Sequence, residues 1–296
     1  MKKYIILIPL YNDWKSVSKL LDQIDLQVNS WRVDISVIIV NDSSTEKKSN
    51  LEFNFKKLKE IKILNMKENR GHQRCIATGL KYIYEKENFD RVIIMDADGE
   101  DRPEELNDFF KKSEENSNMT ITGNRFKRSE GIIFRVLYEV HKILTLIFTG
   151  KLIKFGNFSC LPREHVKKLI EKSYLWNSYS SSVVRTIKER TFIGSIRGFR
   201  YVLPSKMNFL NLIFHSFTII SVFRNLVIIH SIILFLVYSF FIFENISLFN
   251  VIPIFLLLFF VITILKISMR ANIKEFQKSL DNIEGIDILR GSDSRQ

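Results

Sequence analysis

Cysteine, proline and glycine are all scarce in this chain, and each shortage excludes something. The 296 residues include 2 Cys, 5 Pro and 11 Gly. Cys75 and Cys160 stand far apart and without metal-ligand spacing, so neither a disulfide framework nor a zinc site is indicated. Each thiol reads as a small buried apolar residue. Gly71 and Gly79 form neither a Walker loop nor a dinucleotide-binding pattern. No serine sits in a hydrolase elbow. The low Pro and Gly content argues against disorder and collagen-like repeats, and there is no internal repeat or low-complexity tract. An export signal is also missing. The apolar run after Lys2-Lys3 is short and ends at Pro9, so it reads as a first β-strand, with its domain expected in the cytoplasm.

Apolar residues and positive charge are abundant. Hydrophobic residues make up 46% of the chain, with 25 Phe, and 44 Lys+Arg against 32 Asp+Glu give a net charge of +12. Such an excess suits nucleic acid or an anionic membrane surface. The basic residues are dispersed and carry no RNA-binding signature, so nucleic acid is not expected. The apolar C-terminal third favours the membrane.

Short apolar runs at Tyr4–Pro9, Ile35–Val40, Ile61–Leu64 and Arg91–Met95 alternate with helical spacing, as at Val17, Leu20, Leu21 and Ile24, and again from Cys75 to Tyr84. That alternation predicts an α/β fold with a mainly parallel sheet. Ligands in such sheets bind beyond the carboxyl ends of the strands. The polar clusters Tyr11-Asn12-Asp13, Asn41-Asp42 and Asp96-Ala97-Asp98 fall there.

The segment 132–148 has amphipathic helical spacing, with Arg135, Glu139 and Lys142 on one narrow stripe. It suits either a helix packed on the sheet or one lying in a membrane interface. Two uncharged stretches follow, about 225–243 and 246–265, separated by Glu244. Each is long enough to cross a bilayer core, which takes about 20 residues. Arg224 precedes the first, and Lys266 and Arg270 follow the second, which puts both outer ends in the cytoplasm. The alternative is a pair of buried core helices. Met207–Phe223 reads as an interfacial helix, with a third span as the alternative. Residues 271–296 read as a charged cytoplasmic tail with one helix and a frayed end.

The strongest chemical signal is Ile93-Ile94-Met95-Asp96-Ala97-Asp98-Gly99-Glu100-Asp101. An apolar strand delivers two carboxylates spaced by one residue, a donor set that suits Mg²⁺ or Mn²⁺ held against a diphosphate. A solvated turn or helix cap is the plainer reading. Pro103 then opens a helix-start pattern. His72, in Gly71-His72-Gln73-Arg74, reads as a polar helix-start residue or as a contact for phosphate or ribose. The remaining His are scattered.

Taken in order, Ile8-Pro9-Leu10-Tyr11-Asn12-Asp13, Val40-Asn41-Asp42-Ser43-Ser44, Glu68-Asn69-Arg70-Gly71 and Asp96-Ala97-Asp98-Gly99-Glu100-Asp101-Arg102-Pro103-Glu104 resemble the family 2 glycosyltransferases of GT-A fold. With the hairpin, the chain resembles the membrane-anchored polyprenyl-phosphate glycosyltransferases, a group that includes bactoprenol glucosyltransferases and dolichol-phosphate mannose synthases. The resemblance implies a GT-A domain over about 1–205, then an interfacial helix and two transmembrane helices over 206–270.

The resemblance further implies that Pro9, Tyr11, Asp13 and Asp42 line the nucleotide-sugar pocket, with Asp13 where the family usually has Glu. Asp96 and Asp98 would approach the donor diphosphate and hold a divalent metal, with Glu100 as a third ligand where Gln is common. Arg125 and Arg135 would hold the acceptor phosphate. Arg200 and Lys206 would sit near the diphosphate. Asn157 stands where bactoprenol glucosyltransferases commonly carry an Asp, and it cannot act as a base. The implied reaction is metal-dependent, inverting transfer from a nucleotide-diphosphate sugar, UDP favoured over GDP, to undecaprenyl phosphate. The place implied is a bacterial inner membrane. A lipid-linked glycan hydroxyl is the alternative acceptor. A non-catalytic nucleotide-sugar-binding membrane protein and a nucleotidyltransferase are alternatives of other classes. A homo-oligomer fits the resemblance, although no feature of the sequence demands one.

Overall fold

The computed structural model describes residues 1–28, 31–46, 55–127, 132–202 and 209–290. Four strands form the centre of its sheet: β1 (Lys3–Leu10), β2 (Asp34–Asn41), β3 (Glu60–Met66) and β4 (Arg91–Ile94). β1 runs parallel to both β2 and β4, and β2 runs parallel to β3. β1 is buried from Tyr4 to Leu10 and β4 throughout. That continuous burial is why both read as unbroken apolar runs rather than alternating ones. Helices α1 (Trp14–Gln27) and α2 (His72–Lys86) cover the two faces. α1 buries Val17, Leu20, Leu21 and Ile24 at helical spacing, and α2 buries Cys75, Ile76, Leu80 and Ile83. Two apolar clusters therefore flank the sheet, one holding Ile6, Ile8 and Phe109, the other Ile5, Leu7 and Leu80.

After β4 come a 3-10 turn (Pro103–Glu105) and α3 (Leu106–Glu115), then β5 (Thr120–Lys127), α4 (Ile132–Thr149), β6 (Ser159–Pro162), α5 (Arg163–Ile170), α6 (Tyr179–Thr186) and β7 (Arg190–Ile196). β6 runs antiparallel to β4 and β5, and β7 parallel to β5. α4 joins α7 (Phe209–Ser221), α8 (Arg224–Ile242) and α9 (Leu248–Ser268) rather than the sheet. Phe148, Ile220, Val227 and Ile264 form a third buried cluster among these four helices. The packed-on-the-sheet reading of 132–148 is thereby set aside.

α8 and α9 are long, apolar and largely uncovered; Phe240, Phe241, Leu248 and Phe249 are all more than three-quarters exposed. Buried core helices would hide such side chains. Their connection is tight: Ser247 caps α9 at Asn250 N, and the Asn250 amide donates to Asn245 O at 2.7 Å.

The one helix expected after α9 is present, and the charged segment that follows it, read as a tail, forms a strand through Arg290. Asn272 caps the short α10 (Ile273–Gln277), and β8 (Ile283–Arg290) pairs antiparallel with β3. The sheet order is β7-β5-β6-β4-β1-β2-β3-β8. Without β8, β3 would leave a row of unpaired backbone groups at the edge. The short β-rich run Ile283–Leu289, read as part of a charged tail, fills that need.

Candidate functional site

The carboxyl ends of β1, β2 and β4 bring three loops together. After β4, Met95 N donates to Leu7 O at 3.1 Å, which carries β1 pairing one step past the strand. The chain then turns through Asp96–Arg102. Asp101 is 1% exposed, and it accepts from Asp96 N at 3.0 Å and from the Arg125 guanidinium at 3.1 Å. Asp98 accepts from Glu100 N at 3.0 Å. Gly99 has φ +88°, and a Cβ there would meet the Tyr201 ring at 2.7 Å, so both conformation and space require glycine.

Segment 197–201 lies over this turn. Gly198 N donates to Glu100 O and Tyr201 N to Asp98 O, each at 2.9 Å. A Cβ on Gly198 would collide with the Gly99 carbonyl. The same segment brings Arg197 to Glu100 at 2.6 Å and Arg200 to Asp98 at 3.0 Å. Glu100 also faces Arg125 at 3.6 Å and Arg200 at 3.5 Å. The Arg200 Nε atom is buried without a hydrogen-bond partner.

On the other side, the His72 ring lies 3.2 Å from the Asp96 carboxylate, and the Asn157 amide donates to Asp96 at 3.1 Å. Gln73 ties this corner to α6 by accepting from Tyr179 N at 2.6 Å. His72 sits at the first position of α2, as the helix-start reading expects, and meets the Asp96 carboxylate there.

Burial opposes ionisation of Asp96, but the His72 ring, the Asn157 amide and Arg125 outweigh it and lower its pKa. Burial likewise opposes charge on His72, and Asp96 outweighs it and raises that pKa. Asp98 is pushed up to about 6, first by burial and then by the charges of Asp96 and Glu100. Asp101 is pushed up to about 7 by burial and by Asp96, against the pull of Arg125.

Of the residues singled out from sequence, Asp96, Asp98, Glu100, Arg125 and Arg200 converge here. Asp42 is 2% exposed and accepts from Arg70 N at 2.7 Å and Gly71 N at 2.8 Å, so its carboxylate holds the loop before His72. Pro9 is buried in β1, Tyr11 is 47% exposed, and Asp13 precedes α1 without a capping hydrogen bond. Asn12, between them, accepts from Thr45 N at 2.8 Å and so ties the first loop to the second. Lys206 lies outside the described residues. Arg135 lies on α4 within the stretch whose side chains are not described. Arg197 was not read from the sequence as a site residue. Its signal was its place two residues before Phe199-Arg200, in the segment already singled out for phosphate.

Among the described residues, no group of three or more His, Cys, Asp or Glu is arranged to hold a metal. Glu100 is turned instead toward three guanidinium groups. Asp98 and Asp96 still fit a hard cation. They are oxygen donors, Asp98 raised by burial and by the charge of Asp96, and Mg²⁺ commonly takes one or two carboxylates together with substrate phosphates.

Residues 5–178 match the family described as Glycosyl transferase family 2. The chain belongs to that family. Its curated relatives include the undecaprenyl-phosphate 4-deoxy-4-formamido-L-arabinose transferases of Photorhabdus laumondii and Salmonella choleraesuis, 24% and 22% identical over 173 residues. Those alignments cover 58% of this chain and 51% of each relative, so the chain spans about half the length of the curated relatives it matches. Crystal structures of glucosyl-3-phosphoglycerate synthase from Mycobacterium tuberculosis share the fold. One complex with Mn²⁺, UDP and glucosyl-3-phosphoglycerate superposes with a TM-score of 0.55 at 13% identity, covering 76% of this chain and 80% of that one. A second, with Mg²⁺ and UDP, gives 0.55, 13%, 76% and 79%. The family's catalytic domain is thus the GT-A-like α/β domain described above.

Proposed function

We propose that the chain transfers a sugar from a nucleotide-diphosphate donor to undecaprenyl phosphate at the cytoplasmic face of a bacterial inner membrane. The observation that carries this reading is the Asp96–Asp98 turn, clasped between Arg125, Arg197 and Arg200 on one side and His72 and Asn157 on the other. It lies at the carboxyl ends of parallel strands, on a domain joined to two long apolar helices. The curated relatives are named for transfer to undecaprenyl phosphate, and the neighbouring solved structures hold UDP. UDP is therefore the donor nucleotide favoured over GDP.

Pro9, at the end of β1, and the loops carrying Tyr11, Asp13 and Asp42 receive the nucleoside. Arg200, with its unpartnered Nε, faces the diphosphate, and Lys206 would join it. Arg125 and Arg135 take the acceptor phosphate, for which a planar guanidinium is well shaped. A divalent cation, Mg²⁺ or Mn²⁺, held by Asp98 and Asp96 would neutralise the departing diphosphate. An oxygen of the acceptor phosphate attacks the anomeric carbon as the bond to the nucleoside diphosphate breaks, with inversion. A phosphate acceptor is already anionic, so Asn157 in place of a carboxylate removes nothing the reaction needs. A glycan hydroxyl would normally require a base, so the lipid phosphate is the better acceptor.

α8 has 19 residues, a rise of about 28 Å, close to a bilayer core of about 30 Å. Arg224, Lys266 and Arg270 flank the hairpin on its domain side. β8 returns to the sheet, so both outer ends of the hairpin meet the same face. α7 and α4 would lie at the membrane surface, where Leu210 of α7 and Ile143 of α4 are exposed.

The test of the site is nucleotide binding to the purified full chain. UDP is expected to bind more tightly than GDP, with an added divalent cation strengthening binding, and Asp98→Asn is expected to lose the metal-dependent part. Equal binding of all nucleotides with and without metal, unchanged in Asp98→Asn, would overturn it.

A further inference from the structure

The segment that follows α9 does more than close the sheet. Glu275, on α10, sits between two arginines at the start of α2: Arg70 of the loop that leads into it, at 2.8 Å, and Arg74 of its first turn, at 3.2 Å. Its direction is set from both ends. Asn272 Oδ1 accepts from Lys274 N at 3.0 Å and from Glu275 N at 3.2 Å. The next residue, Phe276, is 1% exposed and stacks on Trp176 at 5.4 Å. The Arg74 guanidinium lies 5.1 Å from the centre of that same Trp176 ring. The start of the loop is tied as well. Lys67 N donates to Asn282 O at 2.8 Å, and Lys67 Nζ donates to Asp281 O at 2.7 Å.

The loop held in this way reaches the reacting end of the site. Its backbone at Arg70 and Gly71 donates to Asp42, and the next residue, His72, lies against Asp96. A chain of contacts therefore runs from the end of the membrane hairpin through Glu275 and the 67–74 segment to the carboxylate turn. None of these contacts needs a bound molecule.

We propose that Glu275 is a positioning residue for the donor side of the site. It fixes Arg70 and Arg74, and through them it holds the amides that bind Asp42 and the His72 ring that meets Asp96. The proposal rests on the transferase reading above, since it assigns the loop to donor binding. Glu275 itself touches neither Asp96 nor Asp98. It acts through the loop, so the effect should fall on the donor and spare the acceptor.

The test uses the full-length protein in detergent with two readouts. The first is backbone amide exchange at Arg70 and Gly71. Glu275→Gln keeps the shape of the side chain and removes its charge. It is expected to speed exchange there about tenfold while the β1 and β4 amides keep their protection. The second is steady-state kinetics: the donor KM is expected to rise about tenfold, the scale of one lost charge-assisted hydrogen bond, with kcat and acceptor KM within about twofold. Leu289→Ala on β8 serves as the structural control. Its side chain packs against the core beside β3, so it should lower the melting temperature and leave the donor KM alone. Unchanged exchange in Glu275→Gln would overturn the proposal. So would a shift in both substrates and kcat that merely tracks a fall in melting temperature, as a general loosening would. A wild type without turnover would remove the transferase reading and this role together. An active wild type whose Glu275→Gln variant matches it in exchange and donor KM would remove this role alone.

Discussion

Asp98 carries the most chemistry for its size. It faces Arg200 at 3.0 Å while burial, Asp96 and Glu100 push its pKa up to about 6. Asp98→Asn keeps the fold and is expected to lower turnover by about a thousandfold, the scale of removing a preorganised electrostatic contact to the transition state; initial rates at saturating donor read this directly. The crowded carboxylates also set a pH dependence. Asp98 and Asp101 have folded pKa values of about 6 and 7, raised above the ordinary carboxylate value. The folded state therefore holds more protons than the unfolded chain over roughly pH 4–7, and stability falls as pH rises through that window. The raised His72 acts in the same sense at the upper end. A divalent cation relieves the repulsion, so Mn²⁺ should raise the melting temperature more at pH 7.5 than at pH 5, and equal shifts at both would contradict this.

Much of this site was legible at the residue scale. A strand ending in Asp-x-Asp, followed by a glycine, marks a carboxylate turn whatever the family. The contacts that turn makes were not legible, although Arg125, Arg200, His72 and Asn157 were each singled out. Arg197, His72 and Asn157 reach it from three separate parts of the chain, the loop after β7, the start of α2 and the loop before β6, and no spacing along the chain brings together residues so far apart. The direction of Glu100 was hidden for the same reason: its three guanidinium partners come from distant parts of the chain.

At the scale of elements, the helices and central strands were written in apolar periodicity, and their packing leaves little slack. Gly79 faces β1 from α2. A Cβ there would strike the Leu7 side chain and lie 3.0 Å from Val40. Alanine would gain about 1 kcal/mol in helix propensity yet overpack a core where insertion typically costs about 1–3 kcal/mol. Gly79→Ala should be neutral to destabilising, and thermal melting would show a clear gain only if α2 can move away. Phe109 and Phe158 meet edge to face at 4.6 Å, both fully buried. Phe158→Ala should cost about 3–5 kcal/mol, read as a lower denaturation midpoint, and would loosen the strand next to Asn157. β8 was the element the sequence concealed. Its apolar residues are few and interrupted by Glu284, Gly285 and Asp287, as suits an edge strand with one wet side. Only the open edge of β3 explains its place.

At the scale of the whole molecule, the described residues tie the sheet to the hairpin through α4 and α7, which pack on it, and through the returning segment of α10 and β8. On the proposed membrane spanning by α8 and α9, the chain is expected to remain in the membrane fraction after high-salt or carbonate washing and leave it only with detergent; release by salt alone would mean surface binding through the positive charge. The central claim is transfer of a sugar to a lipid phosphate, and one measurement addresses it most directly. Purified full-length protein is incubated with undecaprenyl phosphate, Mn²⁺ and a panel of labelled nucleotide-diphosphate sugars, and the organic phase is counted and its product weighed by mass spectrometry. The expected result is label in the lipid from one donor, with the mass of a single sugar on undecaprenyl phosphate, lost on chelation and in Asp98→Asn. Donor binding or slow donor hydrolysis with no labelled undecaprenyl phosphate from any donor would contradict it.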